Sequence, residues 1–200
     1  ALDLCFPGMN VVIGKNVKTT TGANINGAWD AIGHLGDPNN DLAPFAGTSY
    51  LALASGYVTS ASHQDQLAGD QGGGDPYSAD TSTIHDSVEF EVTLVAPEGV
   101  TGFSLDYIFM SQEYEEWIGT DFNDRFYVVM NAPQTTGGVD QVINFTQCSP
   151  DALAKGYFDF QQGGQKYCYI AINTAFSEPC SNPTTDISGS GMDCASGGSS

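Results

Sequence analysis

Residues 87–96, SVEFEVTLVA, alternate apolar and polar side chains, with Val88, Phe90, Val92 and Leu94 set against Glu89, Glu91 and Thr93. Successive side chains of a β-strand point to opposite faces, so a period of two sorts these residues onto one apolar and one polar side. A helix would scatter them around its axis. After a turn at Pro97-Glu98-Gly99, residues 102–110 repeat the pattern with Phe103, Leu105, Tyr107 and Phe109 in phase. A second strand is predicted there. Short β-prone runs recur at 11–13, 50–54, 126–130, 142–145, 157–160 and 167–172, separated by Gly- and Pro-rich turns. No segment carries a persuasive 3.6-residue period. The predicted fold class is therefore all-β, a β-sandwich or jelly roll with long ordered loops.

Two hundred residues, 40% of them apolar, suit one domain with a sizeable core. The expected division is a β-sandwich over residues 1–176 and a Gly/Ser/Cys-rich polar tail over 177–200, read as a truncated or processed end. Residues 14–44 read as ordered irregular structure, anchored by Ile25, Trp29, Ile32 and Leu35. Twenty-four acids face five bases, a formal charge of −19. Such a surface repels nucleic acid, whose binding needs Lys and Arg against phosphate. It disfavours an anionic membrane for the same reason, and no apolar run is long enough to span one.

The acids concentrate. Between the β-prone ends of residues 105–130 lie Glu113, Glu115, Glu116, Asp121, Asn123 and Asp124, with Arg125 the only cation beside them. Crowded carboxylates repel unless solvent screens them or a cation holds them. Ca²⁺ takes six to eight oxygen ligands and suits this composition. The expected ligand set is Asp86, Glu89, Glu113, Asn123 and Asp124, because strand ends on neighbouring strands bring carboxylates close together. The alternative is a solvated polar edge, which for Glu89 is an equal reading. Asp65, Asp70, Asp75 and Asp80 recur every five residues around Gly72-Gly73-Gly74. They form either a second Ca²⁺ loop or a solvated excursion, and they match neither the EF-hand nor the nonapeptide template.

Five cysteines, with no CxxC pair, fit disulfides in an exported chain better than a zinc or redox motif. Cys148–Cys168 and Cys180–Cys194 are the preferred bridges among three possible pairings of the last four, so that Cys5 is left over, or else it pairs while another stays free. Tyr114 and Trp117, inside the acidic stretch, could form an exposed aromatic platform or plug the end of the sandwich. His34, His63 and His85 are scattered, and no G-x-S-x-G elbow is present. Asn144-Phe145-Thr146 matches an N-glycosylation sequon, which carries meaning only in a chain from a glycosylating host.

The run YIFMSQEYEEWIGTDFNDRF, residues 107–126, resembles the signature of the choice-of-anchor L domain, through Phe109, Ser111, Glu113, Tyr114, Phe122, Asn123, Asp124 and Phe126. His85-Asp86-Ser87-Val88-Glu89-Phe90-Glu91-Val92 and Leu53-Ala54-Ser55-Gly56 resemble that family's flanking strand and turn. The resemblance implies an exported bacterial β-sandwich on a cell-surface or extracellular protein. Two departures stand out: Glu115 replaces the family's proline, and nothing matches its closing strand pair. The closing strands are then expected to be absent or to come from another chain.

Together these readings predict an extracellular or cell-surface domain, Ca²⁺-stabilised, structural or adhesive, within a surface or filamentous assembly. The expected partner is another copy or a strand-exchanging neighbour, with no nucleic acid and no membrane insertion. A monomeric adhesin for a glycan or surface protein is the alternative. A glycoside hydrolase using Glu113 and Glu116 is the third reading, set behind an expectation that the chain is not an enzyme.

Overall fold

The structure, a computed structural model, describes residues 12–18, 28–45, 47–55, 58, 70–77, 83–85, 87–111, 124–171 and 185–190. The fold is all-β. Among the described residues, several antiparallel sheets accompany one short helix. The chain divides into two compact units, one of Ala1–Gly73, Thr83–Ile108 and Thr185–Gly191, the other of Gly74–Ser82, Phe109–Thr184 and Met192–Ser200.

The first unit contains β1 (Val12–Lys18), β2 (Trp29–Ile32), β3 (Tyr50–Leu53), β4 (Asp70–Gly74, its last residue across the boundary), β5 (Thr83–His85) and β6 (Glu89–Leu94). They associate in pairs: β1 with β6, β2 with β3, and β4 with β5. The alternation in β6 is realised except at its end, where Leu94 is exposed. Val88, Phe90 and Val92 are half-buried while Glu89, Glu91 and Thr93 are exposed. β1 runs antiparallel to it, from Val12 opposite Leu94 to Lys18 opposite Glu89.

Residues 185–190, inside the stretch expected as a tail, are tied to residues 35–41. The Asp37 and Asp41 amides donate to the Ser188 and Asp186 carbonyls at 2.9 and 2.8 Å. The buried Asn40 side chain donates to the Leu35 and Ser188 carbonyls and accepts from the Leu42 amide. Gly36 permits this approach. Its φ is 84°, and a Cβ there would lie 2.5 Å from the Ser190 nitrogen. Any other residue would meet both the left-handed backbone penalty and a clash with main chain.

Residues 102–110 are a correction to the expected strand. They alternate as a strand does, yet they join no ladder among the described residues. Every residue from 101 to 108 is exposed, including Phe103 and Ile108 at 60% and 55%. Alternation chooses which side chains share a face, but a strand also needs a neighbour to accept its backbone hydrogen bonds.

The second unit contains β7 (Arg125–Phe126), β8 (Val129–Met130), β9 (Gln141–Val142), β10 (Phe145–Gln147), α1 (Pro150–Ala154), β11 (Phe160–Gln162) and β12 (Gln165–Ala171). β12 pairs with β10, β11 and β7, and β8 pairs with β9. Gly163 and Gly164, both at positive φ, make the two-residue turn from β11 to β12. Asn144 mends the break between β7 and β8. Its Oδ1 accepts from the Val128 amide at 2.6 Å and its Nδ2 donates to the Phe126 carbonyl at 2.8 Å. The sequon asparagine is thus a buried ladder substitute.

Helix α1, five residues long, is too short to show a helical period. Its ends are nonetheless written in the sequence. Ser149 caps the first turn by accepting from the Ala152 amide, Pro150 opens the helix, and Gly156 leaves it at φ 83°.

Candidate functional site

β12 organises the second unit because its two faces have different surroundings. On one face Cys168 is fully buried and disulfide-bonded to Cys148, with Ala152 of α1 packed against the bridge. The preferred pairing of these two cysteines is thus observed, whereas Cys180 and Cys194 lie outside the described residues. On the other face, antiparallel register aligns Phe145 with Tyr169, and both Gln147 and Phe160 with Tyr167. Gln162 stands opposite Gln165 on that same face.

The rings on this face are in contact. Phe160 and Tyr167 stack at 5.2 Å between centroids, and Phe145 meets both edge-on at 5.1 and 5.4 Å. Tyr169 extends the cluster to Tyr127, which contacts Tyr77. Arrangements of this kind contribute roughly 0.5–1.5 kcal/mol per pair beyond the area they bury.

At the tyrosine end sits a polar triad. Arg125 Nη1 and Tyr127 Oη each donate to Asp75 Oδ2 at 2.6 Å, while the Tyr77 amide donates to Oδ1. Both carboxylate oxygens are engaged and both charged side chains are mostly buried. Burial pulls against the Arg125 charge, but Tyr127 and Asp75 outweigh it and hold its proton more tightly than usual. Burial, reinforced by the hydrogen bond to Asp75, pushes the Tyr127 hydroxyl well above its ordinary range against the opposing pull of Arg125. Tyr169 is raised as well, by burial first and then by Asp159 and Asp75.

The expected metal ligands are only partly visible. Glu89 is exposed on β6 in the first unit. Asp124, in the second unit, accepts the Ser111 hydroxyl at 2.5 Å. Asp86, Glu113 and Asn123 lie outside the described residues, as do Asp65, Asp80, Tyr114 and Trp117. Asp70 begins β4, and Asp75 is neutralised by Arg125. Among the described residues, no group of three or more His, Cys, Asp or Glu is placed to hold a metal ion.

The aromatic face was missed in the sequence because its members come from three short strands. One signal was available: Tyr167 and Tyr169, two apart, must share a face of β12. Only the register of β10 and β11 adds Phe145 and Phe160 to it.

The fold and these contacts define an all-β protein of several antiparallel sheets, one of them backed by an intrachain disulfide. No family model, no curated protein and no solved structure matches the chain.

Proposed function

We propose that the chain is an extracellular structural or adhesive domain that joins a surface or filamentous assembly, with residues 101–108 covered by a strand from a neighbouring copy. The observation that carries this reading is the row of apolar side chains that this segment leaves exposed, Phe103 at 60%, Leu105 at 48% and Ile108 at 55%. Exposed apolar rows mark interaction surfaces, and strand addition is a common mode of association. The Cys148–Cys168 bridge favours an oxidising compartment. The resemblance to choice-of-anchor L domains points the same way.

Copies carrying a formal charge of −19 repel one another. Salt at physiological strength screens such repulsion beyond about 8 Å. Ca²⁺ would lower it further by binding carboxylates directly. Asp86, Glu89, Glu113, Asn123 and Asp124 offer only hard oxygen donors, the chemistry Ca²⁺ prefers. The role is non-enzymatic in this reading.

Sedimentation velocity over a range of concentrations, in Ca²⁺ and in chelator, tests it. Assemblies are expected to grow with concentration and with Ca²⁺, and Leu105→Lys is expected to dissolve them. A monomer under every condition overturns the proposal. Turnover of a polysaccharide, abolished by Glu113→Gln, would replace it with a hydrolase.

A further inference from the structure

We infer that the face of the β10–β12–β11 sheet bearing Phe145, Phe160, Tyr167, Gln147, Gln162 and Gln165 is a binding platform for a neutral polysaccharide. This site is separate from residues 101–108 and does not rest on the assembly reading.

The first argument is exposure where a core would be expected. Four aromatic side chains share one face of a sheet whose opposite face is closed by the disulfide and α1. Phe145 is 43% exposed, whereas Cys168 on the opposite face is 0%. Phe160, Tyr167 and Tyr169 are only half-buried. Rings held by strand register and by mutual contact lose little further freedom when a ligand docks on them. A half-exposed ring presents an apolar surface on which the C–H face of a sugar can rest.

The second argument is what surrounds the rings. Gln147, Gln162 and Gln165 are exposed on the same face, one from each of β10, β11 and β12. Each amide carries two N–H donors and one carbonyl acceptor. Adjacent sugar hydroxyls both donate and accept, so they can satisfy a carboxamide at either end. An apolar protein surface laid over the same place would bury three amides without partners, at a cost for each. The rings with their amides therefore suit a polyhydroxylated ligand better than an apolar one.

The third argument is charge. Read from the register, no Lys, Arg, Asp or Glu of β10, β11 or β12 belongs to this face, since Lys166 alternates to the other side with Cys168. The molecule as a whole carries a formal charge of −19. Beyond Tyr169, Arg125 of β7 meets the same side of β12 but is neutralised by Asp75, and a face with no free cation, on so acidic a protein, selects against uronates, sulfated glycans and nucleic acids. The occupant is uncharged.

The test is affinity electrophoresis of the full chain in native gels cast with a neutral β-glucan, a neutral α-glucan, or polygalacturonate as the anionic control. At least one neutral gel is expected to retard the protein, and polygalacturonate is not. Phe145→Ala is expected to weaken the retardation roughly tenfold, the value of losing one ring contact. Gln162→Ala, which leaves every ring in place, is expected to weaken it severalfold without shifting the melting temperature. Free passage through both neutral gels overturns the inference. So does unchanged retardation of both variants, or stronger retardation by polygalacturonate than by either neutral polymer.

Discussion

β12 and residues 102–110 are written in similar terms and meet different fates. Each alternates through aromatic and aliphatic residues, Tyr167, Cys168, Tyr169 and Ile170 in one, Phe103, Leu105, Tyr107 and Phe109 in the other. β12 is apolar on both of its faces, pairs with three other strands, and buries Cys168 completely. Residues 102–110 interleave their apolar residues with Ser104 and Asp106 and join no ladder among the described residues. The difference teaches that alternation orients side chains, while pairing depends on what the rest of the chain brings alongside. A strand becomes central when both of its edges find partners, and β12 has β10, β11 and β7 alongside it.

The largest expected effect removes what anchors β12. Cys148→Ser with Cys168→Ser reopens a link between residues 20 apart in sequence. A loop of that size contributes about 3 kcal/mol through the unfolded state. Urea denaturation should show that loss, and a midpoint unchanged from the parent would mean that the bridge does not hold this sheet together.

Next is Arg125→Gln. It leaves the mostly buried Asp75 carboxylate without its cation, beside the β7–β12 pairing. A cost of about 2 kcal/mol is expected, typical of a charge-assisted hydrogen bond removed from one side. The same denaturation experiment reads it, and a cost close to zero would show that water replaces Arg125 freely.

A smaller effect belongs to Tyr127. Its hydroxyl titrates higher in the folded chain than the ordinary value of about 10. The folded state therefore keeps a proton that the unfolded state releases first. Its contribution to stability is complete below pH 10 and is lost progressively as the pH climbs from there toward the folded value. Melting temperatures taken from pH 8 upward should fall above 10, and Tyr127→Phe should flatten that fall. An equally steep fall in the variant would assign the effect to other tyrosines.

The smallest expected effect is at Leu105, on the other side of the comparison. An exposed side chain can change with a stability cost within about 0.5 kcal/mol. Leu105→Lys should thus leave the melting temperature in place in dilute solution while it removes association. A large loss of stability in the monomer would mean that residues 102–110 are packed after all.

Legibility in the sequence followed the range of the interaction. The two sides of β6, the caps of α1 and the Gly163-Gly164 turn depend on residues within a few positions of one another, and each left a local signal. The Asp75–Arg125–Tyr127 triad did not. Fifty residues separate Asp75 from Arg125, and the regular spacing of Asp65, Asp70, Asp75 and Asp80 drew attention to metal chemistry instead. Asn144 read as a sequon although its carboxamide is occupied by the Phe126 carbonyl and the Val128 amide.

The amino-acid order alone determined that this chain forms strands, that one side of β6 is apolar, and that the molecule is strongly acidic. These follow from local sterics, side-chain period and charge count. Which strands meet, which aspartate receives an arginine, and which aromatic rings form a common face were decided by tertiary structure. Register between strands far apart in sequence is set by closing long loops around a shared core, and no local pattern encodes that choice.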